Sequence, residues 1–178
     1  MLLRPAIADD IPAIIALERL PESAQFVGQW SEERHRATFA GSDARYFVCD
    51  AETAASEAGA IEHGKLKLRA FAILRGLAET SGAIELKRLV VHPPGRGLGR
   101  PILKELARIA FEQLRAHRFF LDVFEDNARA RHLYKSVGFV EEGVMREAAR
   151  RNGEYCSLYL MSMLDREWRD RNGATLQS

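Results

Sequence analysis

Apolar and polar positions change period along this chain, and the changes mark its elements. Ile11, Ile14, Ile15 and Leu17 recur at helical spacing behind Asp9 and Asp10, either of which can cap the helix, and Pro12 fits its first turn. Pro21 ends that run. A second, more polar helix is predicted from Ser31 through His35 to Phe39, with Glu32 and Glu33 where the helix dipole favours carboxylates. Phe26, Trp30 and Phe39 give it aromatic surroundings. Arg45 to Cys49 and Lys67 to Leu74 have the aromatic and aliphatic density of strands and read as an antiparallel pair. The Ala-, Glu- and Gly-rich stretch from Ala51 to Lys65 is expected to be a flexible hairpin connection between them.

The second half alternates strand and helix periods. Ala83 to Val91 reads as a strand. Gly99 to about His117 reads as an amphipathic helix burying Ile102, Leu103, Leu106, Ile109, Ala110 and Leu114, and Phe119 to Phe124 as a second strand parallel to the first. Asn127 to Ser136 forms a shorter helix with Ala130, Leu133 and Tyr134 on one side, closed by Gly138. Phe139 to Met145 and Tyr155 to Met163 are strands joined through Arg151-Asn152-Gly153, where Asn-Gly signals a hairpin. The reading is one α/β domain over 1–164, a mixed sheet with helices on its faces, followed by a polar tail over 165–178 that is expected to fray.

Composition narrows the function classes. The chain has 178 residues, 47% hydrophobic and 29% charged, enough for one domain with a real core. No apolar run reaches bilayer length, and the start lacks a signal-like stretch, so a cytoplasmic address is expected. The 26 basic and 25 acidic residues nearly cancel, which offers no footprint for nucleic acid or an anionic membrane. Cys49 and Cys156 belong to no ligand pattern and are expected as buried free thiols. The five histidines are scattered, so no metal is expected.

The most informative segment runs from Leu89 to Pro101. A strand leads into a loop with glycine at Gly95, Gly97 and Gly99, and that loop opens a helix. Glycine permits positive φ and close backbone approach, and free N–H groups at a helix start attract anions, so the segment reads as a phosphate cradle, with Arg96 and Arg100 adding charge. A nucleoside triphosphate loop would need a Lys and a hydroxyl residue that are absent here. A dinucleotide fingerprint fares little better: Asp122 stands about where a ribose partner would, but the third glycine is Arg100 or Ile102, depending on the start.

The run Leu89-Val90-Val91-His92-Pro93 followed by Gly95-Arg96-Gly97-Leu98-Gly99 resembles the acyl-CoA pyrophosphate loop of the GNAT superfamily of N-acetyltransferases. The segment from Asn127 through Ala130, Leu133 and Tyr134 to Gly138-Phe139 is similar to that superfamily's N-x-x-A-x-x-L-Y-x-x-x-G-F motif. The later residues Glu142 to Arg146 and Asn152 to Met161 are similar to the branch holding polyamine, amino-acid and ribosomal-protein N-terminal acetyltransferases. The resemblance covers the chain to Leu164, the first third in element order only. It departs at Pro94, where the family usually has Arg or Gln, and the loop is about two residues short.

The resemblance implies a mostly antiparallel sheet splayed at a central parallel pair, with helices on both faces. It implies acetyl-CoA as co-substrate, and as acceptor a primary amine of a small molecule or a protein N-terminus, attacking directly in a ternary complex. Leu89, Val90 and Val91 would hold the pantetheine arm, and Arg96, Gly97, Leu98, Gly99 and Arg100 the pyrophosphate. Asn127 would cap its helix and border the arm. Tyr134 would be the general acid, although by residue pattern alone a core aromatic on an amphipathic helix is the favoured reading. Glu85 is the candidate base, directly or through water, with His92 as the alternative and an ordinary solvated carboxylate as the plain reading. The acceptor would lie between the helix around Trp30 to Phe39 and the hairpin around Arg146 to Tyr155. Glu32, Glu33 and Glu154 there suit a cation, while Arg150 and Arg151 suit a carboxylate, so the acceptor stays open. The rival reading is a non-catalytic acyl-CoA-binding sensor or partner module. A homodimer is compatible with the sequence, which does not fix the oligomeric state.

Overall fold

The computed structural model describes residues 3–51 and 67–173. The connection expected over 51–65 lies outside the described residues except for Ala51. A single sheet of seven strands organises the chain: β1 (Arg4–Pro5), β2 (Ala44–Asp50), β3 (Leu68–Arg75), β4 (Ala83–Val91), β5 (Arg118–Phe124), β6 (Val140–Arg151) and β7 (Glu154–Leu164). Their order is β1-β2-β3-β4-β5-β7-β6. All neighbours are antiparallel except β4 and β5. That one parallel pair is short, running Ala83↔Arg118, Ile84↔Phe119 and Glu85↔Phe120. Beyond Glu85 the two strands diverge, each keeping only its outer partner, β3 or β7.

Helices cover both faces. α1 (Ile11–Glu18) and α3 (Glu32–Ala40), with the short α2 (Pro21–Ala24) between them, pack Ile14, Leu17 and Trp30 against Tyr46, Phe71 and Ile73. On the other face α4 (Gly99–Arg108) buries Ile102, Leu103 and Leu106 against Phe119, Leu121 and Met161. Burial of each such side chain is worth about 1.5–3 kcal/mol. The β3–β4 register slips between Ile73 and Leu74, which pair with Arg88 and Leu86 and leave Lys87 unmatched. This bulge swaps faces: Leu86 faces the α4 side, whereas Val90 joins the α1/α3 side and Leu89 and Val91 pack toward α4.

Several expected boundaries are corrected. The helix from Gly99 does not continue to His117. It becomes a π-turn over Ile109–Gln113, closed by Leu114 N–H donating to the Ile109 carbonyl at 2.9 Å, and Arg115 at φ +58° turns the chain away. Asp10 precedes α1 without capping it. Its carboxylate instead accepts from the Ile7 N–H at 2.9 Å and from Arg4 at 2.7 Å. Ser31 does cap α3, accepting from the Arg34 N–H at 3.2 Å. The final hairpin turns at Asn152 (φ +53°) and Gly153 (φ +89°), as a type I′ turn requires. Its strand β6 runs on to Arg151 because a second slip, between Met145 and Ala149, absorbs Glu147 at φ +52° and lets pairing resume. Cys156 is only partly buried, against expectation, while Cys49 is buried.

Over 165–173 the expected fraying tail is instead a helix, α6 (Asp165–Gly173); 174–178 lie outside the described residues. Its polar sequence hides one apolar anchor. Trp168 is buried, stacks on Phe111 with centroids 5.8 Å apart, and donates its indole N–H to Glu112 at 3.3 Å. Trp168→Ala is expected to destabilise the fold by about 3 kcal/mol, the scale of large-aromatic truncations, measured as a lower urea midpoint. A midpoint equal to that of the unaltered chain would mean that α6 contributes nothing.

Candidate active site

The divergence of β4 from β5 opens a seam lined by backbone groups with no strand partner on that side, and buried N–H and C=O groups of this kind need hydrogen bonds from a ligand or water. A cavity of about 550 Å³ extends from this seam. Leu89, Val90 and Val91 of β4 form one wall, and the segment from Pro93 to Arg100 forms the end. The first turn of the helix α5 (Ala128–Val137) and the stretch Glu22 to Val27 complete it.

The loop after β4 is shaped as a cradle. Gly95 (φ +85°) and Gly97 (φ +78°) adopt left-handed backbone, and a side-chain carbon added at either would meet nothing within 4 Å. The glycines therefore serve conformation and ligand approach, not internal packing. Gly99 differs: a Cβ there would stand 3.0 Å from Leu133, so its absence lets α4 press against α5. Pro101 in the first turn of α4 removes one N–H, while those of Gly99 and Arg100 remain at the helix start facing the cavity.

Every residue that the sequence associates with the cofactor lines this cavity: Leu89, Val90 and Val91, the run Arg96 to Arg100, and Asn127. Arg100 is less free than expected, because it donates to the Ser136 carbonyl at 3.0 Å and so ties α4 to the end of α5. Asn127 caps α5 through its Oδ1, which accepts from the Ala130 N–H at 3.1 Å. Tyr134 also lines the cavity, its ring tilted against Phe139 at 5.8 Å between centroids. Its hydroxyl has no hydrogen-bond partner among the described residues. Burial, assisted by the negative charge of Asp122, drives the phenol well above its ordinary pKa. It is thus held protonated at any physiological pH.

Glu85 is not brought to the cavity. It sits in the last paired register of the parallel strands, opposite Phe120, and its carboxylate is 3.0 Å from Lys87 Nζ. His92 lies at the exit of β4, where Nδ1 is 2.9 Å from Glu22 Oε1. Asp122, which the sequence offers only as a ribose partner, lies on β5 past the last paired register and outside the lining of the cavity, on the face opposite the buried Phe119, Leu121 and Val123. It is exposed, and has neither a hydrogen bond nor an ion pair among the described residues. Desolvation raises its pKa; Lys87 opposes the rise and Glu85 adds to it. The signal available was its strand parity, opposite to three buried apolar neighbours beside the loop.

Glu22, Gln25, Phe26 and Arg129 are further lining residues without a sequence signature. The hairpin tip reaches this wall. Arg151 donates to the Gln25 carbonyl at 3.1 Å, pairs with Asp126 at 2.5 Å, and covers the Phe124 ring at 4.6 Å. It is therefore engaged internally, and the expectation that it greets a substrate carboxylate is corrected. Arg150 donates to the Gly153 carbonyl at 3.1 Å, and Glu32 is paired with Arg36 at 2.7 Å on the solvated side of α3. Among the described residues no group of three or more His, Cys, Asp or Glu side chains could hold a metal ion. Likewise, no helix among them is long and apolar enough to cross a membrane.

A splayed parallel pair, a glycine cradle on a helix N-terminus and a tyrosine in the same cavity are the features that the resemblance to the GNAT acetyltransferases implies. The family model described as "Acetyltransferase (GNAT) family" matches residues 15–139, and the chain belongs to that family. Among curated proteins it is 40% identical over 67 residues to the L-amino acid N-acetyltransferase AaaT of Escherichia coli, covering 38% of this chain and 41% of that one. It is 33% identical over 87 residues to the spermidine N(1)-acetyltransferase of Vibrio cholerae, covering 48% and 50%. The aligned part thus spans about half or less of these relatives' length. Among solved structures, the Vibrio cholerae spermidine N-acetyltransferase in complex with CoA and spermine shares the fold. Its TM-score is 0.76 at 23% identity, over 93% of this chain and 96% of that one.

Replacing Gly97 with Val places a branched side chain at φ +78° and in the path of an approaching phosphate. CoA affinity measured by calorimetry is expected to fall by about tenfold or more, and the unfolding midpoint to fall modestly, reflecting the roughly 1–2 kcal/mol that left-handed backbone costs a non-glycine residue. Undiminished CoA binding would remove the loop from the site.

Proposed function

We propose that this protein transfers an acetyl group from acetyl-CoA to a primary amine of a small molecule or a protein N-terminus. The observation that carries this reading is the convergence of the β4–β5 seam, the glycine cradle and the Tyr134 hydroxyl on one cavity. The residues fit the cofactor: the cradle at Gly95 and Gly97 is open to a ligand, helix N–H groups face it, and Arg96 and Arg129 stand at its rim. When bound, acetyl-CoA supplies the activated thioester. The unpaired edge of Leu89 to Val91 would hold the extended arm as a neighbouring strand would, and position the carbonyl for attack.

Acid and base roles follow from which side of the seam each residue occupies. Tyr134 packs with the α4-side core, whereas Asp122 projects from the opposite face of β5. Asp122, raised in pKa and without a hydrogen-bond or ion-pair partner among the described residues, accepts the proton that an ammonium acceptor must lose before its nitrogen can attack. Tyr134 keeps its proton for the departing sulfur. Glu85 then acts indirectly, its charge helping to raise Asp122. The amino-acid and spermidine activities named for the relatives support an amine acceptor. Cys49 and Cys156 form no disulfide, which accords with a reducing, cytoplasmic setting.

Release of CoA thiol in the presence of a panel of amines tests this reading. Tyr134→Phe is expected to lower kcat by about 10²–10⁴-fold, the range for a general acid, without changing the Kd for acetyl-CoA. Activity of the unaltered enzyme should fall on the acid side as Asp122 becomes protonated, and Asp122→Asn should abolish that acid limb along with most of kcat. An acid limb that persists in Asp122→Asn would assign the base elsewhere.

A further inference from the structure

Next to the cavity, on the α1/α3 side, lies a cluster of donors with too few acceptors. The guanidinium carbons of Arg34 and Arg88 each stand 4.3 Å from the centroid of the Trp30 ring. The Arg88 side chain is only 5% exposed, yet its partner is a single carboxylate, Glu18, with Oε1 3.1 Å from Nε. That contact is misaligned for a hydrogen bond, and both atoms are otherwise unsatisfied. The two terminal nitrogens of Arg88, the guanidinium of Arg34 and the indole N–H of Trp30 have no acceptor among the described residues.

The rest of the cluster is already committed. Glu18 Oε2 accepts from the Trp30 backbone N–H at 3.0 Å and lies 3.4 Å from His35 Nε2, and His35 Nδ1 is 3.3 Å from the Tyr46 hydroxyl. Two guanidiniums are therefore offset by one buried carboxylate. Arg34 is exposed, and of these donors only Arg88 Nε is a buried atom without a partner; a buried donor is normally matched, and a guanidinium fork suits a carboxylate best. Burial and the proximity of Arg34 both push Arg88 below its ordinary pKa, which an arriving anion would relieve.

Access and location fit a substrate group. Gly28 lies over the fork, and a Cβ built there would be 3.8 Å from Nη2 and 3.9 Å from Nη1, so the missing side chain leaves the approach open. Gly28 and Gln29 are exposed. The preceding residue, Val27, lines the cavity, and so does Val90, which packs in the same cluster as Trp30.

We infer that Arg88, Arg34 and Trp30 form a carboxylate-binding subsite that selects an acceptor carrying a carboxylate beside its amine, an amino-acid-like zwitterion. The inference rests on the acetyl-transfer reading and names its substrate class. A polycation would meet two guanidiniums at this position and be repelled.

The test uses the full chain with acetyl-CoA and acceptors that differ by one carboxylate: L-methionine against 3-(methylthio)propylamine, L-phenylalanine against phenethylamine, and spermidine as the polycation. At least one amino acid is expected to exceed its decarboxylated partner in kcat/KM by about tenfold or more, the range for a charge-assisted hydrogen-bond pair. Arg34→Ala and Gly28→Val are expected to raise KM for the amino acid and collapse that ratio, with the plain amine as internal reference. Both variants leave the buried Arg88–Glu18 pair in place, so the outcome does not depend on a truncated core. Equal kcat/KM within each pair, or a preference for spermidine, overturns the subsite while leaving acetyl transfer intact. If none of the five amines releases thiol although CoA binds, acetyl transfer to these amines fails instead. The subsite is then read by calorimetry of N-acetyl-L-methionine against N-acetyl-3-(methylthio)propylamine on the CoA complex. Equal binding of the two overturns it, and tighter binding of the carboxylate that Gly28→Val removes supports it.

Discussion

Past Glu85 and Phe120 two neighbouring parallel strands stop sharing hydrogen bonds, and the backbone groups along the gap must find partners elsewhere. Such a gap in the middle of a sheet would ordinarily be destabilising. Here it persists because each strand is secured on its outer side, β4 along β3 and β5 over its own whole length along β7. The bulge at Lys87 lets β4 turn its outward face as it leaves β5, so Leu89 and Val91 still pack toward α4. The cavity, the cradle at its end and the tyrosine on its flank all depend on that separation.

Charge is arranged around the seam by function and by scaffold in different ways. The scaffold pairs are short and mutually satisfied: Arg118 with Glu142 and Ser162 holds β5, β6 and β7 together, and keeps Glu142 down near pKa about 2. Arg4 joins Asp10 and Asp50 at the opposite edge of the sheet. Groups around the seam are left unsatisfied by comparison: among the described residues Asp122 has no partner and the Tyr134 hydroxyl has none, and the Arg88 fork faces an exposed glycine. Unsatisfied polar groups in an otherwise well-paired protein concentrate where a ligand completes them.

Legibility of the sequence followed the range of the interactions involved. The glycine loop, the Asn127 cap, the Gly138 terminator and the Asn152-Gly153 turn are local, set by φ preferences and side-chain-to-backbone hydrogen bonds within a few residues. All could be placed from sequence. Trp168 was not legible as an anchor, because its burial depends on Phe111, far away in sequence, in a helix that is polar elsewhere. The end of α4 was overextended for a similar reason: apolar spacing continues past Arg108, but the backbone slips into a π-turn that periodicity does not register.

The sequence by itself determined the family, the strand–loop–helix cradle and the tyrosine motif, because each is a contiguous pattern whose chemistry needs fixed spacing. Only the tertiary structure decided which charges are available. Arg151 looked free and is held by Asp126 and Gln25. Glu85 looked central and lies at the closed end of the seam beside Lys87, whereas Asp122 looked incidental and stands open in it. The availability of a charge depends on partners brought close by folding, across separations as large as that between Gln25 and Arg151. No local pattern along the chain encodes that distance.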